Sequence, residues 1–157
     1  MSEIALPKID RSIVSNKSQI VKKLSSLTNP ENVLSEADEL RPYETDALSV
    51  YTQTPLAVVL PENTKEVSEI LKYCNEENIK VVPRGAGTGL SGGALPLQDA
   101  ILLGLGKFNK ILEIDYENKC VITQPGVTNL GITHAVEHKG FYYAPDPSSQ
   151  LACSIGG

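Results

Sequence analysis

The sequence predicts an α+β fold with two small sheets, and three patterns carry this prediction. A β-α-β unit is predicted over residues 56–83. Its outgoing strand leads directly into a glycine-rich stretch, PRGAGTGLSGGALP, which no helical pattern continues. A hairpin pattern follows in KILEIDYENKCVITQPG. We therefore expect one part around 56–83 and a second part carrying 100–123 and 128–138, with the bound ligand between them.

The N-terminal residues 1–37 are expected to form a helical segment ahead of a main domain that covers 38–157. A helix is predicted over 15–28, because its apolar residues recur on one helical face. These residues are Ile20, Val21, Leu24 and Leu27. We expect this helix to be peripheral. Residues 39–55 are polar and contain two prolines, Pro42 and Pro55, and we expect them to form a loop.

The β-α-β unit is predicted from three consecutive patterns. The apolar run at 56–60 predicts a strand. Asn63 can cap a helix, with Glu66 three residues later and apolar residues at helical spacing after it. The run IKVVP at 79–83 predicts the outgoing strand. The glycine-rich stretch therefore begins at the carboxyl end of a strand.

The second part is predicted from the sequence after the glycines. The run AILLGL at 100–105 predicts a strand, and two short apolar runs flank a predicted turn at 116–119. Thr128 can cap a helix that extends to about His138, and Gly140 can end it. The remaining sequence, FYYAPDPSSQLACSIGG, has no clear period.

Composition excludes several classes of function. The chain has 157 residues, 41% hydrophobic and 21% charged, and its net charge of −5 does not favour nucleic-acid binding. No apolar run predicts a signal peptide or a membrane span, so we expect a cytoplasmic location. Cys74, Cys120 and Cys153 are expected to be reduced thiols. His134 and His138 lack a third ligand for a metal, and we expect them to be surface residues.

The glycine-rich stretch was compared with known phosphate-binding patterns. It contains Gly85, Gly87, Gly89, Gly92 and Gly93, five of the chain's 12 glycines. The spacing G-x-G-x-x-G is present, but glycines and Pro96 follow where a Rossmann helix would begin. A Walker A loop is excluded because no Lys-Ser or Lys-Thr pair follows. What remains is either a nest of backbone N–H groups around an anionic diphosphate or a flexible linker.

Several separated motifs together resemble one family. VVPRGAGTGLSGGALP, PDPSSQLACSIGG and RPYETDALSVYTQTPLAVVLPENTKEVSEIL occur in the order found in FAD-linked oxidases with the p-cresol-methylhydroxylase type of FAD-binding domain. The resemblance covers about 38–157. It implies two small α/β subdomains of such a domain, truncated at the C-terminus.

The resemblance also implies which residues bind FAD. The backbone of 84–91 would wrap the diphosphate, and Gly126 would lie near the adenosine. Residues 145–149 and 153–157 would line the ribityl and isoalloxazine side. For Arg84 two alternatives stay open: a contact to the diphosphate, or a structural salt bridge beside the loop. The implied cofactor-binding residues are Pro83, Arg84, Gly85, Ala86, Gly87, Thr88, Gly89, Leu90, Ser91, Gly126, Pro145, Asp146, Ser148, Ser149, Cys153, Ser154, Gly156 and Gly157.

The implied activity is flavin-dependent oxidation of a 2-hydroxy acid, glycolate or D-lactate, to the 2-oxo acid. Non-covalent FAD is expected, because Thr88 occupies the place where some relatives carry a flavin-linked histidine, and a cysteinyl link through Cys153 is not expected. No catalytic residue is assigned to this chain. Companion FAD-binding and iron–sulfur subunits, and through them a peripheral position at the inner membrane face, are implied by the family.

Two other function classes compete with this prediction. One is a non-catalytic flavin- or nucleotide-binding module, and the other is a structural α/β domain in which the glycines form a linker. Because the family places its substrate pocket in later sequence, residues 1–157 alone are expected to hold FAD weakly and to lack glycolate or D-lactate dehydrogenase activity.

Overall fold

The computed structural model describes residues 7–156, and its elements are those of an α+β protein, as predicted. The helices are α1 (Arg11–Ser15), α2 (Lys17–Leu24), α3 (Ala37–Leu40), α4 (Thr64–Glu76) and α5 (Asn129–Val136). The strands are β1 (Val33–Leu34), β2 (Ala57–Val59), β3 (Lys80–Arg84), β4 (Ala100–Gly104), β5 (Ile111–Asp115) and β6 (Cys120–Thr123). Short 3-10 helices cover Pro30–Asn32, Arg41–Tyr43 and Glu137–Lys139. Over 7–156, no helix is both long enough and apolar enough to cross a membrane.

Four strands form the main sheet in the order β1-β2-β4-β3. The strands β2, β4 and β3 run parallel to one another, and β1 pairs antiparallel with β2. In the centre, Leu102 of β4 lies opposite Val58 on one side and Val82 on the other. Every residue of β2 and β4 is buried, as expected of parallel strands that are covered on both faces.

The strand predicted at 100–105 is present as β4, but its predicted place in the second part is wrong. It lies in the main sheet, between the two strands of the β-α-β unit. The reason is burial: AILLG has no polar side chain and needs cover on both faces. The second part, whose hairpin strands are partly exposed, cannot provide that cover.

The helix predicted at 15–28 is present as α2, but it is not peripheral. Its residues Ile20 and Leu24 are buried in the same core cluster as Val59, Ile101 and Leu103 of the main sheet. Burying two such side chains stabilises the fold by about 1.5–3 kcal/mol each. The N-terminal segment is therefore part of the core that supports the sheet.

The helix α4 begins as predicted. The Asn63 side chain accepts a hydrogen bond from the backbone N–H of Glu66 at 3.0 Å, which satisfies a donor at the helix start. Ile70 and Cys74 are buried against the sheet. Asn78, with φ +55°, turns the chain after the helix and brings it into β3. This connection places the end of β3, and hence the glycine-rich stretch, at the carboxyl edge of the sheet.

The segment 39–55 is a loop over most of its length, as predicted, but ordered structure precedes it. The sequence patterns did not indicate β1 or α3. Leu40, at the end of α3, is buried against Val58 and Leu102 on the second face of the sheet. A capping box between Glu36 and Glu39 begins α3. This short helix covers a sheet face that would otherwise be open to water.

The second part consists of a hairpin and a helix. The strands β5 and β6 pair antiparallel, with Lys119 at φ +55° in the turn. Thr128 caps α5 by accepting a hydrogen bond from the N–H of Gly131 at 3.1 Å. After the 3-10 turn that follows α5, Gly140 adopts φ +76° and ends the helical region, as predicted.

Candidate functional site

The glycine-rich stretch and residues 154–156 form the two walls of one open cavity of about 430 Å³. The stretch leaves the carboxyl end of β3, while 154–156 come from the end of the described chain. The lining residues are Pro83, Gly85, Ala86, Gly87, Thr88, Gly89, Leu90, Ser91, Gly93, Ala94, Ser154, Ile155 and Gly156. The site thus lies where the main sheet meets the second part of the fold.

Backbone hydrogen bonds fix the second wall. Residues 153–156 run antiparallel to 125–129, and Ser154 forms a bridge pair with Thr128. The N–H of Ile155 donates to the carbonyl of Val127 at 2.9 Å, and that of Gly156 donates to Pro125 at 2.8 Å. Because this segment is tied to the start of α5, its place is set by the fold of the second part.

A serine hydroxyl joins the two walls. The N–H of Ala86 donates to Ser154 Oγ at 3.2 Å, and Ser154 Oγ donates to the carbonyl of Gly156 at 2.8 Å. A Cβ added at Gly85 would overlap both Ser154 Oγ and the Gly156 carbonyl oxygen. Glycine is therefore required at 85 by the contact between the walls.

The backbone of the first wall carries a run of N–H groups that can bind a ligand. Within the part of the chain that the structure describes, the N–H groups of residues 87–93 donate no hydrogen bond to protein atoms. Gly87 and Gly92 have φ of +71° and +74°, so the backbone enters the left-handed region at two positions of this run. Consecutive N–H groups in such a loop form a nest that binds an anion.

The cavity is suited to a negatively charged ligand. Its lining contains no acidic side chain and no basic one among residues 7–156. An anion would meet backbone N–H groups and the hydroxyls of Thr88 and Ser91, whereas the Ser154 hydroxyl already donates to the Gly156 carbonyl. The arrangement can therefore hold a diphosphate by hydrogen bonds, with no charged side chain in contact.

Arg84 lies behind this wall and does not line the cavity. Its Nη1 donates to the carbonyl of Thr45 at 2.6 Å, and its guanidinium lies 5.8 Å from the centroid of the Tyr43 ring. Burial lowers the pKa of the Arg84 guanidinium, and the negative charge of Asp46 opposes that shift. The structure therefore places this side chain with the 43–46 segment.

Other residues that the resemblance implied lie elsewhere. Gly126 is packed in the second part, where a Cβ would stand 2.9 Å from the carbonyl oxygen of Phe108. Pro145, Asp146 and Ser148 are exposed, and Asn129 Nδ2 holds their loop by donating to the Pro145 carbonyl at 2.9 Å. Ser149 and Cys153 are partly exposed. None of these five loop residues, nor Gly126, lines the cavity, and Gly157 is outside the described residues.

Two lining residues were absent from the residues implied by the sequence: Gly93 and Ala94. Both lie inside the glycine-rich stretch, so membership of that motif was the available signal. Ile155, which also lines the cavity, lies within the implied range 153–157. Among residues 7–156, no group of three or more His, Cys, Asp or Glu side chains could hold a metal.

A glycine-rich loop without a following helix, at the end of a parallel strand and beside a cavity that no acidic side chain of residues 7–156 lines, is suited to an anionic ligand and differs from the Rossmann arrangement. The family model described as "FAD binding domain" matches residues 55–157. The chain belongs to this FAD-binding family, and the resemblance predicted from the sequence is confirmed.

Relatives and solved structures agree with this membership. The chain is 46% identical over 153 residues to "Glycolate oxidase subunit GlcD" of Escherichia coli (strain K12), covering 98% of this chain and 30% of that protein. It is 31% identical over 138 residues to "D-2-hydroxyglutarate dehydrogenase" of Stutzerimonas stutzeri, covering 88% of this chain and 30% of that protein. A structure of p-cresol methylhydroxylase with substrate bound superposes with a TM-score of 0.70 at 29% identity, covering 87% of this chain and 27% of that one. The chain thus spans about a third of these proteins' length.

Proposed function

We propose that this chain is the diphosphate-binding part of an FAD-dependent oxidoreductase that converts glycolate or D-lactate to the 2-oxo acid. The observation that carries the proposal is the run of backbone N–H groups at 87–93 that donate to no protein atom among residues 7–156, beside a cavity that no acidic side chain of those residues lines. FAD supplies the chemistry as the acceptor of a hydride from the substrate carbon.

The residues present fit the FAD diphosphate. The N–H groups of the loop would donate to its oxygens, and the Thr88 and Ser91 hydroxyls would add further hydrogen bonds. At Gly89 the protein leaves open space over the backbone, so a ligand can approach the main chain closely. The main sheet and the second part would hold the two walls in place from opposite sides.

A non-covalent attachment is part of the proposal. Thr88 lines the cavity, and its hydroxyl does not form a bond with a flavin methyl group as a histidine can. Cys153 lies outside the cavity lining. Acid precipitation of the purified protein should leave all of the flavin in the supernatant, whereas flavin in the pellet would indicate a covalent link.

The substrate class is proposed from what the relatives have in common. Glycolate, D-2-hydroxyglutarate and D-lactate, named in the titles of the relatives, are all 2-hydroxy acids. One relative is named as a subunit, which supports companion subunits for this protein too. We propose that these are FAD-binding and iron–sulfur proteins, and that the protein acts in the cytoplasm. Co-purification and cell fractionation test these two points.

The decisive experiment uses the natural full-length protein that contains this chain. The purified protein should show a flavin absorption spectrum, and glycolate or D-lactate should bleach it under anaerobic conditions and be turned over with an artificial electron acceptor. A flavin spectrum that no 2-hydroxy acid bleaches would instead favour a non-catalytic flavin-binding module. Absence of flavin, with no FAD binding by the apoprotein, would contradict the proposal.

A further inference from the structure

The side chain of Arg84 touches the glycine loop on the face away from the cavity. A Cβ at Gly87 would stand 2.5 Å from Arg84 Nη2 and 2.7 Å from Arg84 Cζ. Gly87 also has φ +71°, which L side chains rarely adopt. The guanidinium therefore fills the space beside the Gly87 backbone, and it does so because position 87 has no side chain.

The segment behind the loop holds both of these residues. Arg84 Nη1 donates to the Thr45 carbonyl at 2.6 Å, and the N–H of Ala47 donates to the Gly87 carbonyl at 2.9 Å. The Tyr43 ring lies under the guanidinium at 5.8 Å. Two hydrogen bonds and one cation–π contact thus connect Arg84 and Gly87 to residues 43–47, about 40 positions earlier in the chain.

A buried acid gives this arrangement an electrostatic partner. Asp46 is 5% exposed, and its Oδ1 accepts a hydrogen bond from the N–H of Leu48 at 2.9 Å. Its Oδ2 is buried and has no hydrogen-bond partner among the described residues. A buried carboxylate needs a nearby positive charge, and the Arg84 guanidinium supplies one without a contact within 4.0 Å.

We propose that Arg84 is a positioning residue that holds the loop in its diphosphate-binding conformation from behind. It acts together with Tyr43, Thr45 and Asp46, and we call these four residues the brace. This inference rests on the proposed function, because FAD is the ligand used to detect it. It gives Arg84 a third role in place of the two alternatives that the sequence left open, because it requires neither a contact to the diphosphate nor a direct salt bridge.

A double-mutant cycle at positions 84 and 87 tests the brace. FAD affinity is measured by fluorescence quenching of the natural full-length apoprotein, for Gly87→Ala, Arg84→Ala and the double variant. Gly87→Ala should weaken FAD binding about tenfold more in the wild-type background than in the Arg84→Ala background, because the added methyl group overlaps the guanidinium only where Arg84 is present. Gly93→Ala is the matched control: its Cβ would meet nothing within 4 Å, so its effect should be independent of position 84.

The conservative variant Arg84→Lys separates the brace from a diphosphate contact. Lysine keeps the charge but has no planar guanidinium that can donate to the Thr45 carbonyl and lie over the Tyr43 ring at once. We expect Arg84→Lys, which keeps the positive charge near Asp46 but not this pair of contacts, to weaken FAD binding by about tenfold at a melting temperature of the apoprotein within a few degrees of wild type. Wild-type FAD affinity in Arg84→Lys would show that the charge alone is sufficient, as in a direct contact to the diphosphate, and would overturn the brace.

The remaining outcomes of these experiments also test the brace. Additive effects in the cycle would overturn the brace, as would a loss of apoprotein stability that fully accounts for the lost affinity. If Arg84→Ala does not fold, Arg84→Met replaces it in the double-mutant cycle. A wild-type protein that binds no FAD would refute the proposed function itself, whereas a wild type that binds FAD with an additive cycle refutes the brace alone.

Discussion

Gly89 differs from Gly85 and Gly87 in what surrounds it. A Cβ there would meet no atom within 4 Å, and its φ is not in the left-handed region. At Gly85, by contrast, a Cβ would overlap Ser154 and Gly156, and at Gly87 it would overlap the Arg84 guanidinium. Protein packing thus explains the glycines at 85 and 87, while at 89 a close approach of the cofactor is the remaining physical reason.

We therefore predict that Gly89→Val abolishes or strongly weakens FAD binding without destabilising the apoprotein. The side chain would occupy the cavity in front of the loop, where the diphosphate is proposed to lie. FAD titration and thermal unfolding of the apoprotein measure the two effects. Gly106→Val is the control, because Gly106 also has open space around it but lies outside the cavity lining. Full FAD affinity in Gly89→Val would show that the diphosphate lies elsewhere.

The cysteines give a second prediction at the residue scale. Burial raises the pKa of the Cys74 thiol from 9.0 to about 11, while Cys120 is exposed. The buried thiol is neutral at pH 8, so an alkylating reagent should modify Cys120 rapidly and Cys74 only after unfolding. Peptide mass spectrometry after a timed reaction distinguishes them. Equal labelling of both cysteines would show that the core around α4 opens readily.

The same pKa predicts the direction of a pH effect. Because the folded state favours the neutral thiol, the stability that Cys74 contributes is complete below about pH 9 and is lost as pH rises towards 11. Replacing Cys74 by serine should remove this part of the alkaline loss of stability, measured by urea unfolding between pH 8 and 11. An unchanged pH profile in Cys74→Ser would indicate that other groups cause the loss.

At the scale of elements, α2 tests whether the N-terminal segment belongs to the core. Leu24 is fully buried in the cluster that includes the main sheet, and its truncation leaves a cavity. We predict that Leu24→Ala lowers the free energy of unfolding by about 2–5 kcal/mol. The control is Gln19→Ala on the exposed face of the same helix, which should change it by less than about 0.5 kcal/mol. Similar small effects of both substitutions would show that α2 is peripheral after all.

Local patterns predicted the elements better than their arrangement. The Asn63 and Thr128 caps, the hairpin and the strand before the glycines each depend on neighbouring residues, and all were found where predicted. The position of β4 between β2 and β3 depends on pairing of Ala57 with Ile101 and of Lys80 with Ala100, residues 44 and 20 positions apart, which no local pattern encodes. The two-residue strand β1 was missed because it is shorter than any window in which alternation can be recognised.

Residue patterns by themselves predicted only one wall of the candidate site, and the second wall was implied only by the family resemblance, which included Ser154 and Gly156. The glycine spacing indicated a loop at the end of β3, and the cavity is lined by most of that loop. The second wall, 154–156, is brought there by bonds to 125–129, which are a property of the fold. Arg84 shows the same limit: its type left a phosphate contact and a structural salt bridge equally open, whereas its contacts with Tyr43 and Thr45 depend on a loop without a pattern.

At the scale of the whole molecule, the cavity is open and bounded on two sides. The chain spans about 30% of the length of the GlcD relative. We predict that residues 1–157 alone bind FAD weakly and turn over neither glycolate nor D-lactate, since a flavin ring left in water forfeits about 25 cal/mol for each Å² of apolar surface. Sub-micromolar binding by this segment, measured by fluorescence quenching, would contradict this.

The central claim is that the FAD diphosphate lies against the backbone of the glycine loop, opposite residues 154–156. A crystal structure of the natural full-length protein with FAD tests this most directly. We predict that diphosphate oxygens accept hydrogen bonds from N–H groups within 87–93, with Arg84 still bonded to the Thr45 carbonyl behind the loop. A diphosphate bound elsewhere, for example in the apolar groove between the hairpin and α5 beside Phe141, would contradict the account.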